Sequence, residues 1–181
     1  LPSGLTLTSS TGAFSGTATN PGSSTTSTFT VRATNTSGTT SDREFSITVD
    51  PDPGFVAATG GTTSTCGDYK IHAFTGPGTF CVSSAGNAFG SNSVEYLVVA
   101  GGGSGGGDRG GGGGAGGLRE NFPSPATGGQ PVSVQGYPVS IGGGGPASRE
   151  VPGSSGSGSS ALGFSSAGGG GGAHVDSSGS S

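Results

Sequence analysis

Few residues in this chain could do chemistry, and their spacing limits what that chemistry could be. The two histidines are His72, in an alternating strand-like segment, and His174, in a Gly/Ser-rich tail. Nucleophilic catalysis needs a nucleophile within reach of a base that a third group orients. Neither histidine has a Ser/Asp or Cys neighbourhood of that kind, so the chain reads as no enzyme, and His72 as an ordinary strand-face residue. Cys66 and Cys81 are the two cysteines, and both border strand-like segments. In a small Ser/Thr-rich chain they are expected to form a disulfide, with two small buried thiols as the alternative. Two cysteines without nearby histidine give half a zinc shell. Asp50 and Asp52 offer hard oxygens, but a calcium shell needs more carboxylates than surround them. No metal or cofactor is therefore expected.

Three adjacent pairs of opposite charge, Asp108-Arg109, Arg119-Glu120 and Arg149-Glu150, lie inside Gly/Pro segments. They are expected at loop tips, where they serve solubility or touch a receptor. Asn35-Thr36-Ser37 is an N-glycosylation acceptor in a predicted turn. The glycine runs are not phosphate loops, because none ends in Lys-Ser or Lys-Thr ahead of a helix.

The elements that must hold these residues follow from composition. Of 181 residues, 43 are Gly and 11 Pro, while hydrophobic residues reach 28% and charged ones 9%. Gly, Ser, Thr and Pro make poor helix interiors, so a helical core is excluded and an all-β chain expected. Six basic residues against ten acidic ones disfavour nucleic acid. No run of about 18 apolar residues is present to span a membrane. The low charge also argues against an ordinary solvated disordered chain. An extracellular β-protein remains. Leu1 is not a start methionine, and the chain is read as a piece of a longer or processed one.

Most glycines follow residue 53, and Asp50-Pro51-Asp52-Pro53-Gly54 punctuates the change. The reading is a first domain at 1–50, a stiff linker at 51–58 and a glycine-rich domain at 59–181. In the first, Leu5 and Leu7 alternate with Thr6 and Thr8, and a second short strand begins at Phe14. Phe29, Val31 and Ala33 alternate with Thr28, Thr30 and Arg32, then Phe45, Ile47 and Val49 with Ser46 and Thr48. One face is apolar and the other wet, as in an antiparallel sandwich.

Leu1-Pro2-Ser3-Gly4-Leu5, Ser10-Thr11-Gly12, Ser15-Gly16-Thr17, Phe29 to Thr34 and Phe45 to Val49 together resemble the Ig-like repeat of large bacterial surface proteins and haemagglutinins. The resemblance implies partner strands ahead of the Leu-Pro-x-Gly-Leu motif, so the sandwich is expected to be incomplete here. Four short strands bury little apolar surface and expose an edge that invites another strand. Completion is expected from upstream residues or from a neighbouring subunit.

In the second domain, Asp68 to Phe74 and Thr79 to Ser83 flank Thr75-Gly76-Pro77-Gly78 and predict a hairpin. Ser93 to Ala100, Tyr137 to Ile141 and Leu162 to Ala167 predict strands, each entering a glycine run. Flexible linkers have no reason to follow strand ends, so these runs are expected to pack as extended threefold helices that bond to one another. Val94 to Gly103, Ile71 to Phe74 and Tyr137 to Gly142 resemble the glycine-rich domain of phage tail fibres and bacterial surface proteins. Some phage fibre tips stack glycine runs as a sandwich and grip a receptor with the end loops; the resemblance implies that role as one option. The expected function is thus a structural subunit of an extracellular fibre or filament, its partners copies of itself. The alternative is an adhesin binding a cell-surface glycan or protein.

Overall fold

The computed structural model describes residues 1–122, 129–147, 149 and 151–174. The chain is all-β, an Ig-like unit followed by a glycine-rich one, and the described residues contain no helix. It divides into two units. One comprises Leu1–Gly54 with Ala88–Gly90, the other Phe55–Asn87 with the residues from Ser91 onward.

In the first unit, β1 (Leu5–Thr8) pairs antiparallel with β2 (Ala13–Gly16), and β3 (Thr25–Thr34) with β4 (Thr40–Val49). The register sets Leu7 opposite Phe14 and Phe29 opposite Phe45, so period-two alternation gathers the apolar side chains on one face of each hairpin. Phe29 meets the edge of Phe14 at 5.8 Å and stacks on Phe45 at 6.1 Å. On the wet face Arg32 grips Asp42 with two hydrogen bonds of 2.7 Å directly across the strands. Each hairpin is its own two-stranded sheet, which leaves outer edges without a strand partner among the described residues. Pro2 is buried, but no Leu, Ile, Val or Phe side chain of this unit is, and Phe14 and Phe45 stay 46% and 44% exposed.

The second unit begins with β5 (Val56–Thr59), β6 (Thr62–Cys66), β7 (Tyr69–Ala73) and β8 (Gly78–Ala85). Val56 to Ala58, at the end of the segment read as linker, are strand. The hairpin expected between the segments now seen as β7 and β8 does not form: β7 pairs with β6, and β8 with β5. Gly60 and Gly61, with φ of +108° and +64°, turn the chain tightly from β5 into β6 and so give β7 a nearer partner. Farther on come β9 (Ser93–Val94), β10 (Leu97–Val99), β11 (Leu118–Glu120), β12 (Gln130–Pro131), β13 (Gly136–Val139), β14 (Ser159–Ala161) and β15 (Phe164–Ser166). β13 joins β8 and β5 in a three-stranded sheet, while β9 pairs with β12, β10 with β11 and β14 with β15.

Ala58, Val82 and Val132 form the small apolar core, with Phe80, Val94 and Tyr137 packed on it. The strand expected at 93–100 is interrupted at Glu95-Tyr96. There the Asn121 side chain takes over as partner, accepting from the Tyr96 N–H at 2.7 Å while the Asn121 N–H donates to the Tyr96 carbonyl at 3.2 Å. The strand expected at 162–167 is a hairpin whose turn, Leu162-Gly163, has φ of +55° and +84°.

Candidate functional site

Five extended segments lie side by side in the second unit: 100–107, 110–117, 142–145, 151–157 and 167–173. Their backbone hydrogen bonds recur every third residue. The N–H groups of Ala100, Gly103 and Gly106 donate to the carbonyls of Gly117, Gly114 and Gly111, each at 2.9 Å. Those of Gly101, Ser104 and Gly107 donate to Ser157, Ser154 and Val151 at 2.9–3.1 Å. Gly111, Gly114 and Gly117 donate in turn to Ala173, Gly170 and Ala167 at 2.8 Å, and Gly169 and Gly172 return to Gly101 and Ser104. Gly145 completes the ring around the central run by donating to Gly102 at 2.8 Å. A threefold extended helix makes no internal hydrogen bonds and turns its backbone groups outward in three directions, and this spacing is its signature. The polar groups a buried backbone must satisfy are satisfied here by neighbouring runs.

Absence of side chains is what lets the runs approach. A Cβ on Gly103 would overlap the carbonyl oxygen of Gly170, and one on Gly169 that of Gly114. At Gly112, Gly143 and Gly170 nothing lies within 4 Å, so those positions face outward. Serines fasten the ends of the runs and the break at position 104. Ser104 Oγ donates to the Pro146 carbonyl and accepts from the Ser154 N–H, both at 2.8 Å. Ser159, 1% exposed, accepts from the Gly142 N–H at 2.9 Å, and buried Ser166 donates to the Val98 carbonyl at 3.1 Å.

One end of this bundle collects three chain segments. The Gly110 N–H closes a turn onto the Gly107 carbonyl around Asp108-Arg109, Gly107 bonds Val151, and Gly111 bonds Ala173 beside His174. Asp108 and Arg109 are exposed at that turn, with Asp108 at φ +53° and Arg109 4.0 Å from its carboxylate, and Arg149, also exposed, precedes Val151 by two residues. Glu150 lies outside the described residues. Arg119 and Glu120 are not at a loop tip: they sit in β11, opposite Val98 and Leu97, because the chain leaving the run at Gly117 pairs straight back on β10.

The remaining candidates lie apart. Asn35 occupies the exposed turn between β3 and β4, where Oδ1 accepts from the Ser37 N–H, the Ser37 hydroxyl and the Thr39 N–H. Cys66 and Cys81 are free, exposed thiols and the expected disulfide is not formed. They stand in different sheets, and Phe80 turns toward His72 of β7, which sends the adjacent Cys81 to the opposite face. His72 places Nδ1 2.8 Å from the Gly60 carbonyl and its ring edge-on to Phe80. Asp50 accepts from Ser24 Oγ at 2.6 Å and Asp52 from Asn20 Nδ2 at 2.9 Å. Among the described residues no three His, Cys, Asp or Glu side chains gather to hold a metal, and no helix is long and apolar enough to cross a membrane.

The segment 151–157 is the element that sequence reasoning missed, since serine-rich stretches look like linkers. A signal was available: Gly153 and Gly156 stand three apart, and both are positions where a Cβ would overlap a neighbouring carbonyl. Residues 75–181 match the family described as "Glycine-rich domain", and residues 1–50 the one described as "Putative Ig domain". These are structural types of domain, not enzymatic families. Neither the comparison with curated proteins nor that with solved structures finds a match.

Proposed function

The chain belongs, through residues 75–181, to the glycine-rich domain family, and from that premise we propose that it is a structural subunit of an extracellular fibre or surface filament. Its two domains are of the kind that surface and structural proteins carry. The observation that supports the finer reading most is the interlocking of runs 100–107, 110–117 and 167–173 through backbone bonds of 2.8–2.9 Å. Such a bundle is stiff without a large oily interior, and its bare surface suits close lateral packing. The open edges of the β1–β2 and β3–β4 hairpins accept a strand from a neighbouring copy. A contact that joins unlike surfaces head to tail repeats without closing and builds a helical filament. Negative-stain microscopy of the purified chain tests this: long uniform filaments are expected, and compact particles at every concentration refute it.

A second reading, an adhesin that grips a cell-surface glycan or protein, is favoured by one observation. Exposed Asp108 and Arg109 sit on the turn next to Gly107, whose partner Val151 follows exposed Arg149 by two residues. Binding to a glycan array that Arg109→Ala and Arg149→Ala both abolish would select this reading, and an array without signal would reject its glycan form.

A further inference from the structure

The filament reading leaves unnamed the part of a neighbouring copy that meets the apolar face of the first unit. We propose that this face seats on the outer face of β10–β11 of a second copy, an inference that rests on the filament reading and deepens it. On β10, Val98 turns inward at 5% exposure and its carbonyl is held by Ser166. Alternation therefore turns Leu97 and Val99 outward, 60% and 50% exposed, with Glu120 and Leu118 directly opposite them on β11. The result is a flat aliphatic platform carrying one charge, a carboxylate.

The first unit presents the counterpart. Phe29 and Phe45 face each other across β3–β4; Phe14 of β2 already meets Phe29, Phe45 stays 44% exposed, and the next pair on that face is Val31 with Arg43. Arg43 is the one charge on this face, its guanidinium 6.0 Å from the centre of the Phe45 ring. Among the described residues neither Arg43 nor Glu120 has an ion-pair partner. Each face is thus an apolar sheet surface with a single charge, and the two charges are opposite. Two sheets stacked face to face lie about 10 Å apart with interdigitated side chains, a spacing at which a long guanidinium reaches a carboxylate on the facing sheet. Charge placed this way fixes register and rejects wrong partners more than it adds affinity. The two surfaces belong to different units, so the contact is heterologous and propagates.

Sedimentation velocity on the full chain tests the proposal. Arg43→Glu and Glu120→Arg should each weaken self-association about tenfold or more, and the double swap should restore it. Both side chains are exposed, and circular dichroism verifies that the variants keep the fold. Leu97→Lys, on the platform but away from the charge pair, should abolish association. Single reversals that associate like the parent, or a double swap that fails to restore, overturn this contact while the filament reading stands. A parent chain that stays monomeric at all concentrations overturns both.

Discussion

The two units of this molecule reach order by opposite means. The first has the alternation of an antiparallel sheet and aromatic contacts among Phe14, Phe29 and Phe45, yet buries none of its large apolar side chains. The second contains four glycine runs with almost no side chains and a fifth, serine-rich segment at 151–157, yet ties each run to its neighbours every third residue. Ordering a glycine costs more backbone entropy than ordering other residues, roughly 1–2 kcal/mol or more each. What offsets this is a dense set of backbone hydrogen bonds, each contributing about 1 kcal/mol net, and the dispersion contact of backbones lying against each other. Hydrophobic pattern alone would put the apolar core in the first unit, yet the buried core residues Ala58, Val82 and Val132 lie in the second.

That contrast can be broken most severely inside the bundle. Gly169→Ala puts a methyl group onto the Gly114 carbonyl and should cost about 3 kcal/mol or more, because two runs must part to admit it. Gly112→Ala, with nothing within 4 Å, should leave stability unchanged or raise it by about 0.5 kcal/mol. Urea denaturation followed by far-UV signal compares the two. Next in size, Val82→Ala in the core of the second unit should cost about 2 kcal/mol, and Phe14→Ala in the first only about 1, since half of that ring already meets water. Equal losses would show that the first unit has a closed core after all.

Ser104→Ala should cost about 1 kcal/mol, as it removes the hydroxyl that bonds both the Pro146 carbonyl and the Ser154 N–H. Thermal melts of the variant against the parent measure it. The smallest effect belongs to the first unit. The Arg32 guanidinium holds the Asp42 carboxyl below its usual range. The unfolded chain therefore binds this proton more readily, so the pair stabilises above the ordinary carboxylate value and is lost as pH falls through the folded one. Both side chains are largely exposed, so the slope is slight. Asp42→Asn should remove it, seen as a melting temperature that no longer drops with Asp42 protonation.

Strands of the first unit were legible because each is wet on one side: Phe29, Val31, Ile47 and Val49 alternate with Thr and Ser. Glycine runs were legible because they follow strands. Pairing was not, since the choice of β6 over β8 as partner of β7 depends on left-handed φ at Gly60 and Gly61. The cysteines misled for a related reason, because spacing along a chain says nothing about which side of which sheet a thiol faces. Of the charged pairs, spacing alone could not separate Asp108-Arg109, on a turn at the end of a run, from Arg119-Glu120, which a strand absorbs.

The claim that glycine backbones form the structural core is tested most directly by residue-resolved amide exchange over 100–117. Along 100–107 the packed arrangement predicts protection at Ala100, Gly101, Gly103, Ser104, Gly106 and Gly107, with fast exchange at Gly102 and Gly105. Along the outer run it predicts protection at Gly111, Gly114 and Gly117 and fast exchange at Gly112 and Gly113. Uniformly fast exchange across both stretches, or an alternation of period two, would contradict it.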